Sequence, residues 1–212
     1  MTSDWHFKLS ASGYGSEREL SVIEKSVPLD LSIKGSWPSE SSRDRPSINQ
    51  AYQAFQMNLD LSKTKTTPFG SLQLRLDSVV PGLSLFRIEE KSFFKRKQRA
   101  LMSAPPSHSW APVVELLSEE GSHLGRIGAE DEVNTLLAYE QEEKIAEATF
   151  LKSAAQNPID PDLSEDKKAS LGELQIKFSK PSSYYPFYLF GFSILLWMRG
   201  RERQQQAEPL EF

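Results

Sequence analysis

Residues 71–77 read Ser71-Leu72-Gln73-Leu74-Arg75-Leu76-Asp77. Leucine returns at every second position, with a polar residue between. Successive side chains of a strand point to opposite faces, so this run has one apolar face and one wet face. A buried parallel sheet would read as a continuous apolar run, so the alternation predicts an antiparallel sheet covered on one side.

The same period extends outward in both directions. Upstream, Phe55, Met57, Leu59 and Leu61 alternate with Gln56, Asn58 and Asp60. Val27, Leu29, Leu31 and Ile33 do the same, as do Trp5, Phe7, Leu9 and Ala11. Downstream, residues 83–90 and 113–117 read as strands with weaker alternation. Leu174, Ile176 and Phe178 form one more half-buried strand. Gly13-Tyr14-Gly15-Ser16, Thr67-Pro68-Phe69-Gly70 and Pro81-Gly82 carry turn chemistry between the runs. Many short strands at this spacing predict a mainly β (α+β) fold, an antiparallel β-sandwich-like domain or partly open barrel.

The period changes after Gly128. Residues 129–156 hold no Gly or Pro and many good helix formers. Val133, Leu136, Leu137, Ala148, Leu151 and Ala155 fall on one face at 100° per residue, and Glu130, Asp131 and Glu132 suit a first turn. The pattern predicts one long helix over about 129–156, ended by Asn157-Pro158. The expected organisation is a β-rich domain over 1–128, a helix over 129–157 and a linker over 158–171. A strand plus apolar segment follows over 172–198, completing the core or forming a contact surface, then a polar tail over 199–212.

Residues 184–198 read YYPFYLFGFSILLWM and carry no charge. Three readings compete. As a spanning helix the run is short: about 22–26 Å against a hydrocarbon core of about 30 Å. Its aromatic and β-branched residues favour one or two core strands, with Pro186 and Gly191 against a continuous helix. The third reading is a surface set into a membrane interface or an oligomer contact. Core strands rank first. Tyr188, Phe190, Phe192, Leu195 and Trp197 are the candidate apolar contact or core residues.

The sharpest charged motif is Lys91-Ser92-Phe93-Phe94-Lys95-Arg96-Lys97-Gln98-Arg99, with five cations and two aromatics in nine residues. Cations attract phosphate, and interleaved aromatics stack on bases or insert among lipid headgroups. Lys91, Phe94, Lys95, Arg96, Lys97 and Arg99 are therefore candidate polyanion or lipid contacts, and 95–99 also reads as a nuclear-import peptide. Trp37 and Trp110 sit in two Ser- and Pro-rich stretches, 35–46 and 103–112. Each reads as a loop anchor or as a partner contact. The region 115–147 is strongly acidic, which suits a solvated helix face or a complement to the basic motif of a second copy.

Several chemistries find no support. There is no cysteine, which removes disulfides, thiolate catalysis and cysteine-based metal sites. The three histidines, His6, His108 and His123, share no ligand spacing, and no phosphate-cradling glycine motif or GxSxG occurs. No cofactor, metal or catalytic set is expected. The N-terminal residues lack a basic, then apolar pattern, which predicts residence on the cytoplasmic side, with membrane association kept open. Net charge is −4, so the chain as a whole is no general polyanion binder.

The expected function is a non-enzymatic structural, assembly or binding protein. It would act through self-association, a macromolecular partner or a membrane surface. The alternative is a nucleic-acid-associated protein using 91–99, and an enzyme without a legible motif ranks third.

Overall fold

Leu72 and Leu74 are buried, Arg75 is partly exposed and Asp77 exposed, as the alternation requires, whereas Gln73, expected on the wet face, is 2% exposed. The same alternation recurs over residues 7–9, 57–61, 86–89, 113–116 and 172–178, and the sheet closes into a barrel. The computed structural model describes residues 5–14, 17–25, 32–36, 56–61, 67–80, 83–91, 95–104, 113–129, 134–151, 170–180 and 182–207. These form β1 (Trp5–Tyr14), β2 (Glu17–Lys25), β3 (Ser32–Ser36), β4 (Gln56–Asp60), β5 (Ser71–Val80) and β6 (Leu83–Lys91). β7 (Arg96–Ala104), β8 (Val113–Ser118), β9 (His123–Ala129), β10 (Thr135–Glu140), β11 (Glu143–Leu151) and β12 (Ser170–Phe178) follow, then one helix, α1 (Tyr185–Ala207).

Each strand pairs antiparallel with its neighbours in sequence, and β12 closes the sheet on β1 with Trp5 opposite Phe178 and Leu9 opposite Leu174. The mainly β, antiparallel class therefore holds, with one helix among the described residues. The sheet takes the form of a closed barrel. Closure leaves no unpaired edge, and lumen width grows with strand number. At twelve strands the wall side chains leave room for a further element, and α1 occupies it.

The first part of the helix, residues 185–198, is uncharged and apolar nearly all round, which suits a site with no solvent-facing side. Tyr185, Phe187, Tyr188, Phe190 and Phe192 are each 0% exposed, and Ile194, Leu195 and Leu196 are buried with them. They meet the inward residues Phe7, Leu59, Leu74, Phe86, Met102, Val114, Ile127 and Phe178 in one core. Tyr185 packs edge-on to Trp5 at 5.2 Å and stacks with Phe7 at 6.3 Å. Pro186 lies in the first turn, where its missing N–H costs nothing. Ser182 shapes the turn ahead of α1, its Oγ accepting from the Tyr184 amide at 3.0 Å.

Two expectations are corrected. The first concerns 184–198, expected as core strands: the run is core, but as a helix. A helix satisfies its own backbone and can lie in an apolar lumen that offers no sheet edge to pair with. Gly191, counted against a helix, allows close approach instead. A Cβ there would lie 2.5 Å from Ile127 Cδ1 and 3.3 Å from Val114 Cγ1. No helix among the described residues is long and apolar enough to cross a membrane. Outward positions of the strands carry Lys8, Arg75, Arg87, Glu115, Arg126, Glu147 and Lys177, the inverse of a lipid-spanning barrel, whose outer face is apolar.

The second concerns the long helix over 129–156. Residues 135–151 are instead the hairpin β10–β11, held between β9 and β12. Helix propensity is worth at most about 0.7 kcal/mol per ordinary residue and yields to tertiary pairing. The alanines misled the reading. Ala138, Ala146 and Ala148 are fully buried on the wall, where small side chains leave room for α1. Gln141 and Glu142, in the middle of that segment, form the hairpin turn, both with positive φ (48° and 64°), a conformation that suits two-residue hairpins.

Candidate functional site

α1 begins at the barrel end that also carries the β4–β5, β6–β7, β8–β9 and β10–β11 turns. That end is closed by a clasp. Glu90 lies at an inward position near the rim. Its Oε1 accepts from the Gly70 amide at 2.9 Å and its Oε2 from Arg99 Nε at 2.8 Å, with Arg99 Nη2 on the same oxygen. The Arg99 guanidinium lies over the Phe69 ring at 6.0 Å, and Phe69 packs on Phe187 at 4.9 Å and Tyr184 at 6.3 Å. Thr67 Oγ1 donates to the Ser183 carbonyl at 3.1 Å. The segment 67–70 thus straps the start of the helix plug. Ser182 with Glu140 and Lys180 with Glu143 tie the other side of the rim.

Burial pushes the Glu90 carboxyl up, but the Gly70 amide and Arg99 outweigh it and hold its pKa below the ordinary value. A depressed folded pKa gives stability that is present above the unfolded value and lost as pH falls through the folded one. Glu90→Gln is therefore expected to cost about 1–2 kcal/mol at neutral pH. The gap from wild type should narrow as pH falls through the depressed folded pKa of Glu90 and close once that carboxyl is protonated. Thermal melts of both proteins across pH check this; a gap that persists in acid would remove the carboxylate from the clasp.

The basic motif occupies the same rim. Lys91, Lys95, Arg96 and Lys97 are exposed on the β6–β7 turn. Lys91 Nζ donates to Asn58 Oδ1 at 3.0 Å. Arg96 lies 3.9 Å from Glu89 and Lys97 3.9 Å from Glu119, both longer than hydrogen bonds. Arg99 belongs to the clasp and is half-buried, so it differs in surroundings from the other four. Phe94 lies outside the described residues, as do Trp37 and Trp110. Tyr188, Phe190, Phe192 and Leu195 lie in the barrel core. Trp197 belongs to α1, and its side chain is outside the described residues.

Two residues that the sequence left as ordinary wet positions join the motif. Arg75 on β5 stands directly opposite Arg87 on β6 on the outer face, Arg87 exposed and Arg75 partly so. Strand register produces this pairing, and no local signal in either strand announces it.

Among the described residues no group of three His, Asp or Glu could hold a metal ion. His6 and His123 lie on β1 and β9, and His108 is outside the described residues. The other displaced titration is that of Tyr188, whose hydroxyl donates to the Tyr139 carbonyl at 3.0 Å. Burial first, and then nearby Glu140, push its pKa up, so it stays a protonated donor. Both shifts belong to groups that hold the plug in the wall.

The fold is that of a closed, twelve-stranded antiparallel barrel with a charged exterior and a helix-filled lumen. Compared with family models, curated proteins and solved structures, the chain has no match.

Proposed function

We propose that the chain is a non-enzymatic binding protein that engages a polyanionic partner with the β6–β7 turn. The observation that carries this reading is the exposure of Lys91, Lys95, Arg96 and Lys97 on one rigidly rooted turn. The strands behind it are fixed by buried Phe86, Ile88, Ala100 and Met102, so the cations are presented with little ordering cost on binding.

The other supports of the sequence reading fall differently. Barrels that bind small molecules hold them in the lumen, and here α1 fills it. Self-association through 184–198 would need that run at the surface, whereas its described side chains up to Leu196 are core. Among the described residues Val113, 38% exposed, is the exposed large hydrophobic, and isolated exposure of that kind is ordinary. An anionic membrane laid flat on the rim would also meet the acidic Glu119–Glu120 and Glu142–Glu143 turns. That disfavours a broad planar partner.

Heparin affinity chromatography tests the reading. The full chain, despite its net charge of −4, is expected to be retained at low salt and released as salt rises. The triple variant Lys95→Glu, Arg96→Glu, Lys97→Glu is expected to pass unretained, and because all three side chains are exposed it should still melt cooperatively, which a thermal melt checks. Equal retention of the two proteins would sink the reading.

A further inference from the structure

The register of the β5–β6–β7 sheet places two like-charged pairs directly across from each other on the outer face: Arg75 opposite Arg87, and Lys91 opposite Arg96. Directly opposed like charges destabilise a strand pair. Local rules broken without structural gain are expected at functional positions. The two pairs lie four residues apart along β6, about 14 Å at 3.4 Å per residue. They continue the line of the exposed turn down the side of the barrel.

The balancing carboxylates differ in setting, and Glu89 Oε2 is buried between the pairs. Arg87 Nε is bound to Asp77 Oδ1 at 2.7 Å. Glu89 sits between the pairs with its Oε2 3.8 Å from Arg75 and 3.9 Å from Arg96, and that oxygen makes no hydrogen bond among the described residues. Glu89 therefore lowers the repulsion without occupying the donors of either guanidinium. Along this line Arg75, Arg87, Lys91, Arg96 and Lys97 stand beside three carboxylates, Asp77, Glu89 and Glu119.

The flanks differ in sign. β4 carries Asp60, and β8 and its turn carry Glu115 and Glu119. Neighbouring strands are about 4.8 Å apart, so either flank lies about 10 Å from the centre of β6. A duplex with one backbone on the line would set its second backbone about 6–12 Å away across a groove, over these acids. A membrane would cover both flanks at once. A single phosphate backbone fits between them.

We infer that Arg75 and Arg87 extend the basic turn into a linear track, and that its partner is single-stranded nucleic acid. The inference rests on the polyanion reading of the turn and adds the partner's class and the residues that read its shape.

The test is fluorescence anisotropy of a labelled twenty-base single strand titrated with the full chain at several salt concentrations. An unlabelled duplex of the same sequence and phosphatidylserine vesicles serve as competitors. The slope of log affinity against log salt is expected near −3, from about four phosphates at roughly −0.7 each. Arg75→Gln with Arg87→Gln is expected to weaken binding about tenfold and to flatten the slope by about 1.4, two phosphates' worth. Asp77→Asn, which releases Arg87, is expected to tighten binding about twofold, an effect that loss of structure cannot imitate. An unchanged slope in the double arginine variant overturns the track, and if the turn reversal still abolishes binding, the turn reading survives alone. Vesicles or duplex competing better than the single strand overturn the partner class. Absence of binding to any of the three probes overturns both readings.

Discussion

A chain ending at Lys180 is expected to lose its cooperative fold. That truncation removes α1, whose buried side chains Tyr185, Phe187, Tyr188, Leu189, Phe190, Phe192, Ile194, Leu195 and Leu196 fill the lumen. Fully burying such side chains contributes about 1.5–3 kcal/mol each, so nine of them contribute roughly 14–27 kcal/mol. Domains of this kind have a net stability of about 5–15 kcal/mol. The wall loses as much: Phe7, Phe86, Phe178, Ile127 and Val114 would line an open, water-filled tube. Near-ultraviolet circular dichroism and a thermal melt check the outcome. A truncated chain that melted cooperatively within a few degrees of the full one would show that the barrel stands without its plug. The graded version is Phe190→Ala, expected to cost about 3–5 kcal/mol from lost transfer energy and the cavity left behind.

Gly125→Ala is expected to be the most damaging single methyl in the wall. A Cβ at Gly125 would lie 2.0 Å from Tyr188 Oη and 2.3 Å from the Tyr139 carbonyl oxygen. Those two atoms are partners in the hydrogen bond that fixes α1 to β10. One of them is backbone, held in register by β9 and β11, and cannot move without shifting the sheet. Overpacking costs about 1–3 kcal/mol and occasionally more. A stranded hydroxyl or carbonyl adds about 1–3, so about 3 kcal/mol or more is expected. Urea denaturation midpoints at unchanged slope measure it. Tyr188→Phe alone should cost about 1 kcal/mol. In the double variant the phenolic oxygen is gone and half the clash with it, so the total should fall short of the sum by about 0.5–3 kcal/mol. Additive effects would mean that the methyl and the hydroxyl do not meet. Gly191→Ala is the contrasting case. Its near neighbour is Ile127 Cδ1, the free end of a side chain that can rotate away.

The two glycines show how the plug is seated. Gly125 opens a slot in β9 for the Tyr188 hydroxyl, and Gly191 lets the helix backbone approach β8 and β9. Neither is at a positive φ, so space alone requires them. The same economy of volume explains the alanines of β10 and β11, and so the long helix that the sequence suggested and the structure does not contain.

The sequence by itself determined which residues face inward along the alternating strands. Leu72 and Leu74, Met57 and Leu59, Phe7 and Leu9, and Leu174, Ile176 and Phe178 are all buried as period two requires, because a one-residue slip would expose the whole set. It also determined that 184–198 is an apolar unit and that 91–99 is the densest cationic stretch. Both are local properties of composition. Tertiary structure decided the rest. Closure of β12 on β1 is a pairing between the first and last strands, which no local window contains. Closure created the lumen, and the lumen selected a helix for a segment whose propensities leaned to strand. Packing beside that helix selected strands for 135–151, whose propensities leaned to helix, since neighbour pairing and burial outweigh tenths of a kcal/mol per residue. Register alone brought Arg75 opposite Arg87 and set them in line with Lys91 and Arg96. Their proximity comes from hydrogen-bonded strand partners, and a charge in one strand carries no mark of the charge it will face.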